Sequence, residues 1–397
     1  MPDNILIIAN KPPYPSVDGG TYAMGKFEQL MRETDSNVFY FAISTPKHPL
    51  KEDALPSNWK LNENYFTEYI DTGIKNKHVI QYFAGSSIRA TRFYLKSVED
   101  RILEIIKQKS IHTVVFESIY SAVYLKAIKK NTTVKTYVRA HNIEHRIWER
   151  FYDGMPRGLK KLAYKSETSR LTEFEDHCLQ NTTGNIFISN EDQEYYTSDS
   201  KKDNSVVIPI QMNAVSPVKR SSTDPLRLFH IGAMDWLPNL EGVENFLNNI
   251  FPIIIQKYPS IHLHLAGKSM PRDFTKYKSD HVTIHGQVED AVEFISQYDV
   301  LIVPILSGSG IRIKILEAMA EGKPVISTSA GIEGIKARPG KDYLLANDPS
   351  EWIIALEFLN QPSQYELIAN NALSYIRENY SESSLLQKLK SFIKHNH

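Results

Sequence analysis

At 397 residues the chain exceeds one ordinary core, so two domains of roughly 200 residues each are expected. Its 42% hydrophobic and 23% charged residues suit a globular protein, and 46 Lys plus Arg against 46 Asp plus Glu leave no net field to gather nucleic acid. A single cysteine, Cys178, rules out an internal disulfide, and no run reaches the ~18 apolar residues of a membrane span. The opening MPDNILIIANKPPYP lacks the basic start of a signal peptide, which leads to a cytoplasmic expectation.

Short apolar runs alternate with helical periodicity, the pattern of parallel sheets covered by helices. In the first half, strands are expected at Ile5 to Ala9, Val38 to Ile43, Thr113 to Glu117, Val134 to Arg139, Asn185 to Ser189 and Val206 to Pro209. Helices are expected between them at Tyr22 to Glu33, Ile88 to Lys109, Ser121 to Lys130 and about Arg157 to Leu179. The stretch SPVKRSSTDPL, Ser216 to Leu226, breaks both periodicities and separates an expected domain 1–215 from a domain 216–379. Beyond it, strands read at Leu226 to Ile231, His262 to Ala266, Val282 to His285, Val300 to Pro304, Pro324 to Thr328 and Tyr343 to Ala346. The tail from Tyr365 reads as one or two helices interrupted near Ser381, with residues 380–397 expected to complete the first domain. The fold class is therefore α/β, with two doubly wound domains whose ligands lie outside the carboxyl ends of the strands.

Three segments carry candidate chemistry. PSVDGGT, Pro15 to Thr21, puts Gly19 and Gly20 between the first strand and the first helix, as either an anion site or a plain loop. YVRAHNIEHRIWER places Arg139, His141 and Asn142 at the carboxyl end of a strand, with Glu144 and His145 opening a helix. By spacing alone HNIEH also matches a zinc-hydrolase pattern, but the strand ends at Arg139 or Ala140 and leaves His141 outside the helix.

The third segment is SGSGIRIKILEAMAEGKPV, Ser307 to Val325, a glycine turn between a strand and a helix. Free N–H groups and the helix dipole make such a start an anion site. Arg312 and Lys314 in a first turn would each oppose the dipole by about 0.3 to 1 kcal/mol, a penalty that a bound diphosphate reverses. If the helix is already regular at Arg312, the two point about 200° apart and only one meets the ligand. Glu317 can accept two sugar hydroxyls, or simply pair with Lys314 in solvent.

This last segment resembles the nucleotide-sugar motif of family 4 retaining glycosyltransferases of GT-B fold, in the exopolysaccharide-biosynthesis-like subgroup that reads GSGIR-K-LEAMA. The resemblance implies two Rossmann-like domains facing each other across a cleft. It assigns Glu317 to the ribose of a UDP- or GDP-sugar, and Ser309, Gly310 and Ile311 to its phosphates and sugar. Relatives often carry a glutamate eight residues before Glu317, where this chain has Ser309. FHIGAMDWLPNLEGVENF resembles the opening of the second domain, yet Met234, Asp235, Trp236 and Asn239 stand where many relatives place an arginine and a lysine. That departure moves the diphosphate to Arg312 and Lys314. HGQVEDAVEFISQYDVLIVP is similar to the base-binding stretch, with Gln287 and Val288 near the nucleobase.

The same resemblance implies that Gly19 and Gly20 line the cleft and that His141 meets the donor sugar or the transition state, with Arg139, Asn142, Glu144 and Asp235 as secondary candidates. The implied reaction is retaining transfer to a glycan or lipid-linked hydroxyl, for surface or exopolysaccharide, without metal or further cofactor. A lipid-linked acceptor would bring transient contact with the inner membrane face, and the aromatic and basic residues of Tyr82 to Lys96 are a candidate for it. A catalytically weak GT-B partner subunit, an epimerase and the zinc hydrolase are the alternatives.

Overall fold

The computed structural model describes residues 3–197, 204–217, 219–220, 224–307 and 311–395. The chain divides into two compact units, Met1–Gln211 with Leu385–His397, and Met212–Ser384.

The first unit is built on β1 (Asn4–Ala9), β2 (Asn37–Ser44), β3 (Tyr65–Tyr69), β4 (Thr113–Glu117), β5 (Lys135–Ala140), β6 (Gly184–Phe187) and β7 (Ser205–Val207), in the order β3-β2-β1-β4-β5-β6-β7. All ladders are parallel. Ile5 to Ala9 are wholly buried on both sides, as an unbroken apolar run requires of a central parallel strand. The edge strand β3 escaped the sequence reading because YFTEY is short and partly polar. It is held by aromatic contact: Tyr65 stacks on Tyr40 at 5.4 Å and Trp59 meets both rings edge-on.

The expected helix Ile88 to Lys109 is two helices, Ile88–Thr91 and Lys96–Gln108. The Tyr124 hydroxyl holds the break, donating to the Phe93 carbonyl at 2.7 Å and accepting from the Leu95 N–H at 3.3 Å. The helix Glu382–His395 buries Leu385 and Leu389 among Ile5, Ile7 and Ile186 of this unit. Glycine is required at Gly184, where a Cβ would come within 2.7 Å of Phe392.

The second unit repeats the plan with β8 (Arg227–Ile231), β9 (His262–Ala266), β10 (Val282–Gly286), β11 (Val300–Val303), β12 (Val325–Ser327) and β13 (Leu344–Leu345), ordered β10-β9-β8-β11-β12-β13. Both sheets follow the doubly wound order in which the first strand of the unit sits centrally and the next two lie to one side. Trp352 is fully buried, edge-on to Phe246 at 4.9 Å in a core of Leu, Ile and Phe side chains.

Candidate functional site

In the second unit, the carboxyl ends of β8 and β11 meet the start of the helix Ile313–Ala320. His230 of β8 is fully buried, and its Nδ1 lies 2.9 Å from the Ile302 carbonyl. A carbonyl can only accept, so Nδ1 carries the hydrogen and Nε2 is left as an acceptor. The Lys314 ammonium donates to that nitrogen at 3.2 Å and to Asn239 Oδ1 at 2.8 Å, while Asn239 Nδ2 donates to the Ala233 carbonyl at 2.9 Å. Gly232 makes room for this network, since a Cβ there would stand 2.5 Å from Lys314 Nζ.

Lys314 is thus held by two neutral acceptors. Burial, reinforced by the Arg312 charge and only partly offset by Glu317, pulls its amine down to about 7. Among the described residues, two of its three N–H donors are engaged by neutral groups and none by a carboxylate. The alternative of a solvated Lys314–Glu317 pair is not what the structure shows: the amine turns to His230 and Asn239.

Arg312 departs from the helical geometry that the sequence suggested. It is the N-cap residue, at φ −86° and ψ 89°, so the 200° divergence from Lys314 does not apply. It is 5% exposed, with its guanidinium 4.9 Å from the centre of the Trp236 ring. Glu317 lies one turn after Lys314 and is half-buried. Burial pushes its carboxyl up, Lys314 partly opposes this and Asp290 adds to it. Among the described residues its carboxylate has no hydrogen-bond partner.

Ile311 is half-buried, with its Cγ1 3.2 Å from where a Cβ on Gly334 would stand; Gly334 itself sits at φ +85°. Gln287 is exposed and Val288 half-buried, in the turn after β10. Asp235 is exposed and accepts from the Ser269 hydroxyl at 3.4 Å. Ser309 and Gly310 lie outside the described residues.

In the first unit, Gly19 and Gly20 open the helix Gly19–Arg32, capped by Asp18. The Asp18 carboxylate accepts from the Thr21 N–H at 2.7 Å and Thr21 Oγ1 accepts from the Asp18 N–H at 2.9 Å, a reciprocal capping box. Lys11 Nζ lies 2.9 Å and His48 Nε2 3.2 Å from the same carboxylate. Burial resists the charge on Asp18, but the Thr21 and Lys11 hydrogen bonds prevail and hold it well below the usual carboxylate range. The positive end of this helix already meets a carboxylate, and Gly20 leaves space for the Lys11 amine that neutralises it.

Parallel register places Glu117, the last residue of β4, beside Arg139 on β5. Glu117 is fully buried and forms a close ion pair with Arg139. The same Glu117 oxygen lies 2.7 Å from His141 Nε2, so that nitrogen carries the hydrogen and Nδ1 is an acceptor. Burial holds the His141 imidazole below its ordinary pKa; the Glu117 hydrogen bond and charge act the other way, while Arg139 and Lys11 favour the neutral ring. Asn142 is exposed.

Glu144 begins the helix Glu144–Asp153 and accepts from the Tyr120 hydroxyl at 2.9 Å. Burial pushes its carboxyl up to about 7, against the Tyr120 hydrogen bond and with help from the Glu175 charge. His145 gives Nδ1 to Glu175 at 2.7 Å and Nε2 to Tyr195 at 3.0 Å. The zinc reading of HNIEH fails on this geometry: His145 is committed to Glu175 and Tyr195, and His141 to Glu117. Among the described residues no group of three His, Cys, Asp or Glu side chains is placed to hold a metal ion. The Cys178 thiol is buried and pushed far up by that burial, which removes it as a nucleophile.

Of the candidate membrane face at Tyr82 to Lys96, Ala90 and Phe93 are buried, the Tyr82 hydroxyl bonds Ser166 and the Tyr94 hydroxyl donates to Glu99, whereas Phe83 is 81% exposed. Among the described residues no helix is long and apolar enough to cross a membrane. The sequence reading missed Glu117, His230 and the Lys11–Asp18 pair. Glu117 ends the otherwise apolar TVVFE and His230 stands in LFHI, so a lone polar residue at the carboxyl end of a buried strand is the signal that was available.

Comparison with known proteins adds three findings. Residues 225–361 match the family model for Glycosyl transferases group 1. Over 97% of the chain, it is 24% identical to an uncharacterized 44.6 kDa protein in the cps region of Klebsiella pneumoniae, of which 98% is covered. Solved structures share the fold at low identity. Sucrose-phosphate synthase from Thermosynechococcus elongatus is 16% identical with a TM-score of 0.67, covering 99% of this chain and 98% of that one. The Anabaena protein HepE, in complex with UDP, is 10% identical with a TM-score of 0.63, covering 99% and 100%.

Proposed function

We propose that this chain, which shares the GT-B fold and whose residues 225–361 match the Glycosyl transferases group 1 model, moves a sugar from a UDP- or GDP-sugar to a hydroxyl of a glycan or lipid-linked acceptor, with retention at the anomeric carbon. The observation that carries the proposal is the half-buried Lys314 ammonium, held by His230 and Asn239 at a helix start with no carboxylate partner among the described residues. The leaving diphosphate is the counter-ion this amine lacks. As the bond from the anomeric carbon to the diphosphate breaks, negative charge grows on the oxygen that Lys314, Arg312 and the helix dipole stabilise. The acceptor oxygen bonds to the anomeric carbon on the same face, and its proton passes to the departing diphosphate.

Glu317, with no hydrogen-bond partner among the described residues, takes the ribose hydroxyls; Ile311, Ser309 and Gly310 are assigned to the sugar and phosphates, and Gln287 and Val288 to the base. His141 in the first unit is assigned to the transferred sugar, with Arg139, Asn142 and Glu144 as secondary candidates and Gly19 and Gly20 assigned to the donor. With protein cations on the diphosphate, the reaction needs no metal. The UDP in the HepE structure supports a uridine donor, and the cps-region relative supports a role in surface polysaccharide at the cytoplasmic side of the membrane.

Glu317→Ala tests the donor site. Loss of two hydroxyl contacts to a charged group is expected to weaken UDP or GDP binding by about 2 kcal/mol, roughly thirtyfold, in calorimetry run with a chelator present. Unchanged affinity for both nucleotides would remove Glu317 from the site, and binding that vanishes with the chelator would remove the metal-free scheme. Ser309 in place of a family glutamate favours one second reading, a partner subunit that binds donor without transferring it. Labelled-sugar transfer or donor hydrolysis by the purified chain decides against that reading.

A further inference from the structure

Side chains alternate along a strand, so His262 and His264 share one face of β9, and Thr283 and His285 share the same face of the edge strand β10. The register slips between Ile284 and Gly286, a bulge that sets the aim of His285. His285 Nε2 lies 3.1 Å from His264 Nδ1 and 3.2 Å from the Tyr298 hydroxyl. The Tyr298 ring stacks on that of His264 at 4.1 Å, and the Phe294 ring meets His285 edge-on at 5.2 Å. His262 backs the group, with its ring 4.6 Å from that of His264 and its Nε2 2.8 Å from Thr283 Oγ1. None of these side chains takes part in the transfer proposed above.

A proton on His285 Nε2 serves both contacts at once, with His264 Nδ1 and the Tyr298 oxygen as acceptors. A metal ion can take that proton's place and use the same lone pairs. Two nitrogens bound to one tetrahedral ion at about 2.0 to 2.1 Å stand roughly 3.3 Å apart, close to the 3.1 Å between these two rings. Burial, then the His262 and His285 charges, pulls His264 down to about 4, and burial and His262 hold His285 below its ordinary value, so both rings are neutral, as a ligand must be. The Arg227 guanidinium, 6.0 Å from the Tyr298 ring, is neutralised by Asp299 at 3.1 Å. His285 is exposed, which leaves a path for the ion and room for water at its remaining positions.

We propose that His264 and His285 hold a divalent transition-metal ion, with the Tyr298 oxygen beside it. Imidazole ligands favour zinc, nickel or copper over magnesium or calcium. Tyr298 supplies the oxygen that a third histidine or a carboxylate gives in other sites. The ion ties β10 to β9 immediately before Gln287 and Val288, so it braces the edge of the sheet and takes no part in catalysis. Such an ion needs neither donor nor acceptor, so its binding and sugar transfer can each fail alone.

The experiment is calorimetry of the full, untagged chain, stripped with a chelator and free of nucleotide, against zinc chloride and nickel chloride. His264→Ala and His285→Ala should each weaken zinc binding at least about tenfold, while His177→Ala, at an exposed histidine of the first unit, leaves it at the wild-type value. Zinc should also raise the melting temperature of the wild-type chain and of His177→Ala, but of neither His264→Ala nor His285→Ala. No binding of zinc or nickel, an affinity unchanged in both strand variants, or an equal loss in His177→Ala would each overturn the inference.

Discussion

Lys314→Ala is expected to weaken nucleoside diphosphate binding by about 2 to 3 kcal/mol, roughly thirty- to a hundredfold in Kd, because a charge-assisted contact to phosphate is lost from a partly dry site. Relief of the amine's desolvation is offset by the loss of a donor to the buried His230 Nε2 and Asn239 Oδ1, so folding is expected to lose about 1 to 2 kcal/mol. The pH dependence gives a sharper test than the size of the loss.

Lys314 is pulled down to about 7, so above that pH the empty site is increasingly neutral and a proton must be taken up when the anion binds. Wild-type affinity should therefore fall with rising pH, by up to about tenfold per unit above 7, until the pKa of the occupied site is reached. Stability of the empty protein moves the opposite way. Between about 7 and the ordinary lysine value near 10.4, the unfolded chain binds a proton that the folded chain does not, so this residue makes unfolding harder as pH rises. Both slopes should disappear in Lys314→Ala. Calorimetry at pH 7, 8 and 9 measures the first and thermal melting over the same range the second; a pH-independent wild-type Kd would contradict a buried, titrating amine at the diphosphate.

His141→Ala is expected to lower kcat by about 10² to 10³ with a small effect on melting temperature, the scale of losing a positioned imidazole at the reacting centre. The ring is 11% exposed, with its Nε2–H fixed on Glu117 and its Nδ1 lone pair thereby presented. If the neutral ring is the working form, the rate should fall in acid, with its midpoint below the usual histidine value because burial, Arg139 and Lys11 disfavour protonation. Glu117→Gln removes the charge that favours the protonated ring and should move that limb to still lower pH. It should also destabilise the fold by about 3 kcal/mol, since the buried Arg139 loses its counter-charge. Wild-type turnover by His141→Ala, or an acid limb unmoved by Glu117→Gln, would retire the pair.

Much of the architecture is legible in the chain because burial on both faces leaves its mark as unbroken apolar runs such as ILIIA and VLIV. Twelve of the thirteen described strands fall at the expected positions to within a few residues. The edge strand β3 does not, since YFTEY is half-exposed and its place depends on Tyr40 and Trp59 from other elements. The break at Arg92–Leu95 is equally invisible to periodicity, because the hydroxyl that holds it belongs to Tyr124.

The candidate sites divide the same way. A glycine turn, a cation at position 314 and a carboxylate at 317 follow one another along the chain, so the sequence alone determined that an anion and a hydroxyl-bearing group could meet one helix start. Which atoms hold Lys314, that Arg312 caps the helix instead of entering it, and that Glu117 orients His141 were decided by the tertiary structure alone. The reason is parallel-sheet register. Residues 22 positions apart, Glu117 and Arg139, become neighbours across a ladder, and His230 reaches Lys314 over 84 positions through two strand ends. Such pairings carry no local period, and only the folded sheet brings their charges and lone pairs within hydrogen-bond reach.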